Sequence, residues 1–232
     1  MASIPGVRLA ALPLSFAAGL PREWLSVEEL ERAGAYDDGG PRTAFVAGRL
    51  GVRFAAAAVL PEAAGQPERI GLTGRCPRCG DGPHGAPRLL VDGCDADLSL
   101  SYSRADGWLL VAFAPAEQRV GVDLCPPFGE DFGLFTQPQQ TALRLLPRAR
   151  RRVEAARRWA LLEARGKAAG VGVVEPEGVP TDVGRRRERA GTLSALGVSV
   201  LATGEDTEAE AASLGSLLAA VVLDEPGPVP PA

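Results

Sequence analysis

The chain reads as an α/β (α+β) protein, and three features of the sequence predict that class. Between residues 98 and 124 an alternating strand, a turn and two apolar strands follow one another at hairpin spacing. Two long Ala- and Arg-rich stretches, 42–60 and 150–169, carry apolar residues at helical spacing. The length of 232 residues, 46% of them hydrophobic, suffices to bury a core as one domain or as two small halves.

From the N-terminal side, Pro5 precedes and Pro13 interrupts the apolar run 9–20, which reads as a first strand and not as a secretion signal. Ser26 and Glu29 stand at capping-box spacing ahead of Leu30, so a short helix starts there, and residues 37–41 break it. Phe45, Val46, Leu50, Val52 and Phe54 predict the first long helix. Arg49 and Arg53 lie one turn apart on it, where two guanidiniums can grip one anion. Residues 71–87, dense in Gly, Pro and Cys, read as loop.

Leu98, Leu100 and Tyr102 then alternate with Ser99, Ser101 and Ser103, and Ala105-Asp106-Gly107 makes a turn. Strands at 108–113 and 119–124 complete an antiparallel meander. On the last strand Val120, Val122 and Leu124 face one way, which sets Gly121, Asp123 and Cys125 on the other face. The second long helix aligns Trp159, Glu163 and Lys167 in one stripe. Beyond it, 198–202 and 217–223 read as weaker strands and 205–210 as an acidic loop or helix start. Residues 224–232 read as a disordered, Pro-rich tail, and no internal repeat is visible.

Lys167 is the only lysine in a chain that otherwise uses arginine for positive charge. An ammonium is a compact point charge, and a site that keeps it against that bias points to chemistry. The formal charge of −4 leaves no footprint for duplex nucleic acid, although arginines cluster at 148–158 and 185–189 and suit a phosphate-rich small ligand. No apolar run approaches the roughly 20 residues of a membrane helix. The expectation is a cytoplasmic monomer with four reduced cysteines. Taken singly, each candidate also has an ordinary reading. Glu163 and Lys167 form a helix-stabilising pair, Arg49 and Arg53 a solvated face, Asp123 a strand end, and Cys125 a small buried hydrophobe.

The order of motifs changes that weighting. The strand Leu98-Ser99-Leu100-Ser101-Tyr102-Ser103, then Gly121-Val122-Asp123-Leu124, then Trp159-Ala160-Leu161-Leu162-Glu163 with Lys167 resembles the 4'-phosphopantetheinyl transferases of the surfactin-synthetase type. Those enzymes show an N/S-[LIV]-S-H-S strand, a G-[IV]-D-[ILV]-E strand and a W-[ST]-x-K-E-x-x-x-K helix. Upstream, Ala47-Gly48-Arg49 with Arg53 looks like the family's arginine helix. Cys76-Pro77-Arg78-Cys79-Gly80 with His84-Gly85-Ala86-Pro87-Arg88 looks like a loop of its actinobacterial members. The resemblance spans residues 24–167.

It implies two pseudo-symmetric halves, 1–115 and 116–223, each a small antiparallel or mixed sheet packed on a long helix, with coenzyme A between them. The implied reaction moves the phosphopantetheine arm of coenzyme A to a serine of an acyl or peptidyl carrier protein, in fatty-acid, polyketide or peptide synthesis, with Mg2+ on the pyrophosphate. By the same resemblance, Asp123 and Glu163 would hold the metal, Glu163 would act as base and Lys167 would stabilise the transferring phosphate. Arg49, Arg53, His84, Pro87 and Arg88 would hold the coenzyme's phosphates and nucleotide, and Ser101 and Tyr102 would line the pyrophosphate. Carrier protein would dock on the arginines of 148–158, with Phe128, Phe132 and Phe135 as an apolar patch or as core.

Four positions depart from the family pattern. Cys125 replaces a Glu, Leu162 a Lys, Tyr102 a His and Ala86 a Lys. Arg158 and Arg165 flank Leu162 and could reach the phosphate it misses. These losses motivate an alternative, a paralogue that binds coenzyme A or carrier protein without transfer. A third reading is a zinc-knuckle module on Cys76, Cys79, His84 and Cys94, for which a single C-x-x-C is a weak signal.

Overall fold

The computed structural model describes residues 4–76, 80–82, 85–127, 132–171, 185–196, 198–201 and 217–225. In chain order the first part contains β1 (Arg8–Pro13), α1 (Leu14–Ala18), α2 (Val27–Gly34), α3 (Gly40–Ala57), β2 (Ile70–Cys76), β3 (Gly80–Gly82), β4 (Ala86–Val91), β5 (Cys94–Ala105) and β6 (Trp108–Pro115). There follow β7 (Arg119–Cys125), α4 (Gln137–Arg144), α5 (Arg148–Ala168), β8 (Arg185–Thr192), α6 (Leu193–Leu196), β9 (Ser199–Val200) and β10 (Leu218–Glu225).

The strands form two sheets, ordered β3-β2-β4-β5-β6-β1-β9 and β7-β10-β8. Every described pairing is antiparallel except β1 with β9. Alternation along the strands sends side chains to two faces, and the three main cores follow from it. Trp108, Leu110 and Ala112 of β6 meet Val120, Val122 and Leu124 of β7 and Val221 and Leu223 of β10 between the sheets. Leu109, Val111 and Phe113 face the other way and bury Ala47, Val52, Ala55 and Ala56 of α3. Leu218, Ala220 and Val222 bury Ala156, Ala160, Ala164 and Ala168 of α5. The result is a stack of four layers, helix, sheet, sheet, helix, with the sheets unequal in size.

Local signals explain the helices. The Ser26 side chain accepts the Glu29 N–H at 3.2 Å and the Ser26 N–H donates to Glu29 Oε2 at 2.9 Å, closing the expected capping box of α2. The α5 face that meets the small sheet is all alanine, apart from a glycine, around Glu163, so this helix lies unusually close. Closest of all is Gly121 on β7, where an added Cβ would stand 1.9 Å from the Ala164 carbonyl oxygen and 2.6 Å from the Ala168 nitrogen.

Several expectations are corrected. Among its described residues the stretch 71–87 is mostly strand and not loop: β2 and β4 pair from Ile70↔Val91 to Arg75↔Ala86, because Ile70 and Leu89 bury side chains despite the surrounding glycines and prolines. Residues 77–79 and 83–84 lie outside the described residues, and with them Cys79 and His84. The three-strand meander stops after β5 and β6, since β7 leaves to pair with β10 in the other sheet. The apolar run 9–20 is strand only to Pro13 and then turns into α1. Asp224 belongs to no tail: it is fully buried at the end of β10, paired with Arg186 at 2.7 Å. Glu225 ends β10 opposite Arg185, and 226–232 and 205–210 lie outside the described residues. No helix among the described residues is long and apolar enough to cross a membrane.

Candidate active site

β5 runs past the edge of β7 that β10 leaves unpaired, and side chains join the two strands. The Val122 N–H donates to Ser101 Oγ at 3.1 Å, satisfying an edge donor that would otherwise be buried and orphaned. Nearby, Ser103 Oγ donates to Asp123 Oδ1 at 2.8 Å. From the helix layer, Lys167 Nζ reaches the same oxygen at 2.6 Å and the Val122 carbonyl at 3.1 Å. The contact of Gly121 with α5 makes that reach short, and the i, i+4 spacing on α5 puts Glu163 beside Lys167.

Glu163 is 7% exposed and receives no hydrogen bond among the described residues. Burial raises its pKa above the usual carboxylate value, the negative charge of Asp123 raises it further, and Lys167 opposes both. Two carboxylates thus sense each other across the β7–α5 contact. Asp123 Oδ2 and both Glu163 oxygens have no donor among the described residues, yet none is sealed from solvent. They are hard oxygen donors, the kind that a divalent ion such as Mg2+ takes.

Cys125 lies on the same face of β7 but packs with Ala156 and Ala160, and its thiol donates to the Pro126 carbonyl at 3.3 Å. Burial, with the charges of Asp123 and Glu163, pushes its pKa up to about 12. A protonated thiol is no ligand for a hard cation. Consistent with this, no group of three or more His, Cys, Asp or Glu side chains arranged for a metal occurs among the described residues. A divalent ion would have Asp123 and Glu163 as protein ligands and would need substrate phosphates and water for the rest, a normal situation for Mg2+.

The other expected site residues fall elsewhere. Tyr102 packs with the core under α3, on the face of β5 opposite Ser101 and Ser103, as period-2 alternation requires. Arg53 is 1% exposed and grips Glu29 with two hydrogen bonds, 3.1 and 2.5 Å, while Arg49 Nε stands 3.4 Å from the same carboxylate and its guanidinium lies over Phe45. Both arginines are therefore engaged inside the protein, facing a glutamate and not an open groove. Arg88 pairs with Asp95 on β5, and Pro87 lies beside it on β4 opposite Gly74. A Cβ at Gly170, just past α5, would come within 4.0 Å of Ala86, so the start of β4 adjoins the Lys167 end of the helix.

Arg158 and Arg165, which flank Leu162, are both ion-paired. Arg158 bonds Glu154, whose pKa is held down to about 2 chiefly by its hydrogen bond to Arg157, and Arg165 grips Glu188 of β8 at 2.7 and 2.6 Å. Phe132 and Phe135 are core: both are buried, and Phe135 meets Trp159 edge-on at 6.4 Å. Phe128 lies outside the described residues. Leu145 at 83% exposure, with Leu134 and Val153, supplies the apolar surface beside the α5 arginines instead.

Two participants escaped sequence reasoning. Ser103 was visible as the third serine on one face of β5, a face that the strand parity already pointed away from Tyr102. Glu29 was visible only as half of a capping box.

The raised pKa of Glu163 has a sign that can be checked. A carboxyl with a raised folded-state pKa lends stability below its unfolded value, about 4.3, and loses that contribution as pH rises through the folded value. The charged form of Glu163 is the disfavoured one, so Glu163→Gln is expected to raise Tm at neutral pH. Differential scanning calorimetry should show the gain vanish near pH 4. A gain that grows on acidification would contradict the assignment.

Protein-family models give no match to this chain, and none of the curated proteins matches it.

Proposed function

We propose that this protein transfers the 4'-phosphopantetheine arm of coenzyme A to a serine of an acyl or peptidyl carrier protein, with a divalent cation at Asp123 and Glu163. The observation that carries the reading is the convergence of Ser103, Asp123, Glu163 and Lys167 where β5, β7 and α5 meet. These residues come from the three motifs whose order resembles the transferase family.

In the reaction the serine oxygen bonds to the phosphorus that carries the pantetheine arm, and the bond from that phosphorus to the nucleotide's phosphate oxygen breaks. Adenosine bisphosphate leaves. Glu163 accepts the serine proton, a role that its raised proton affinity favours. Lys167 spends two N–H groups on Asp123 and Val122 and keeps the third for phosphate oxygen. The cation, when bound, neutralises charge on the pyrophosphate. Arg49 and Arg53 support the fold in this scheme, because Glu29 already neutralises Arg53. The carrier protein, acidic along its recognition helix, would meet the arginines and exposed Leu145 and Val153 around the start of α5.

Mass analysis of a carrier protein incubated with this chain, coenzyme A and Mg2+ tests the reading: one arm is added to one serine. Glu163→Gln is expected to lower kcat/KM by about 10²–10⁴. No added mass beside a working control enzyme would overturn the transfer. A second reading, binding without transfer, is favoured by the protonated Cys125 in place of a carboxylate and by the engagement of Arg158 and Arg165. It would appear as coenzyme A binding with no mass gain.

A further inference from the structure

We infer that Ser103 is a positioning residue that fixes which oxygen of Asp123 meets the cation. This deepens the proposed transferase reading and rests on it for the presence of a cation. Asp123 has two carboxylate oxygens in unlike surroundings. Oδ1 takes the Ser103 hydroxyl at 2.8 Å and the Lys167 ammonium at 2.6 Å, so both of its in-plane lone pairs are committed. Oδ2 has no donor among the described residues and keeps contact with solvent. A hard cation shared with Glu163 therefore has one oxygen of Asp123 to bind, and the carboxylate cannot rotate to chelate with both.

The division of labour between the two donors follows from their anchoring. Lys167 sits at the end of a flexible stem, a quarter exposed, and is steadied by the Val122 carbonyl. Ser103 has less freedom: its side chain is short, it is buried at 8% exposure near the end of β5, and its backbone is paired with Leu110 of β6. The short serine side chain, reaching across from a different sheet, sets the plane of the Asp123 carboxylate. Lys167 follows wherever the carboxylate points. Hydrogen bonds of this kind to a ligating carboxylate typically carry 10- to 100-fold in metal affinity.

Mn2+ binding, followed by electron paramagnetic resonance on the full chain, gives a readout independent of turnover. Ser103→Ala removes one hydroxyl without changing the ladder, and circular dichroism and melting in metal-free buffer check that it folds. It is expected to weaken Mn2+ binding roughly 10- to 100-fold, and Ser103→Thr to restore it to within a few-fold of wild type. Equal affinity of Ser103→Ala and wild type, or Ser103→Thr as weak as Ser103→Ala, overturns the positioning role. The transferase reading fails separately. If wild type binds Mn2+, Ser103→Ala loses it and the carrier protein still gains no mass, the positioning role stands and transfer falls. If the carrier protein gains the arm while wild type binds no Mn2+, the positioning role falls and transfer stands.

Discussion

Gly121→Ala should lower stability by about 3 kcal/mol or more, roughly 6–12 °C in Tm for a chain of this size. A methyl group there would sit 1.9 Å from the Ala164 carbonyl oxygen and 2.6 Å from the Ala168 nitrogen. Both are backbone atoms of α5, so no rotamer change can relieve the overlap. The helix has to lift by more than 1 Å, and it carries Glu163 and Lys167 with it. The bonds of 2.6 and 3.1 Å from Lys167 to Asp123 and Val122 then lengthen or break. Overpacking a well-filled core costs about 1–3 kcal/mol when side chains can adjust. Rigid backbone on both sides puts this position at the top of that range or beyond it. Gly48→Ala is the control: its nearest neighbours belong to the Arg104 side chain, Cδ at 2.7 Å, and a long side chain can move aside. Denaturant titration should separate the two variants clearly. A Gly121→Ala protein melting within about 2 °C of wild type would refute the close approach of α5 to β7.

Glu29→Ala should be comparably damaging, at about 3–5 kcal/mol, for an electrostatic reason. Glu29 is the counter-ion of Arg53 and Arg49, both more than nine-tenths buried, and its loss leaves two guanidiniums facing each other without compensation. It also removes half of the capping box that starts α2. The pair Glu29→Met with Arg53→Leu should recover much of the loss, since apolar replacements of a buried ion pair are often neutral or better. The double variant separates structure from function as well. If it folds and still modifies carrier protein, Arg53 is a fold residue. If it folds, binds Mn2+ and fails to use coenzyme A, the arginine helix holds phosphate as the family resemblance implies.

Signals that act within a few residues were legible beforehand. The capping box at Ser26 and Glu29, the helix over 42–60, the alternating serines of β5 and the Trp159, Glu163, Lys167 stripe each depend on spacing alone. The same parity on β7 placed Asp123 with Gly121 and Cys125, and they do share the face toward α5. Partner choice was not legible. β7 follows β6 by three residues but pairs with β10, nearly a hundred residues on, because Val120, Val122 and Leu124 are buried between two sheets that no local pattern announces. β8 has almost no apolar alternation and becomes a strand only through its eight-residue pairing with β10. Glu29 met Arg53 across 24 positions, and Ser103 met Asp123 across 20, by topology and not by motif.

β8 also bounds the small sheet, and among the described residues only β10 pairs with it. Such a border is a template on which a stray strand from another molecule can add. Here it carries Arg185, Arg187 and Arg189 at alternate positions, while Arg186 is paired with Asp224 and Glu188 with Arg165. A second copy docking on this border would set those arginines against one another at strand spacing. The arginine run, which on sequence grounds suggested an anionic ligand, is a charge arrangement that disfavours such addition.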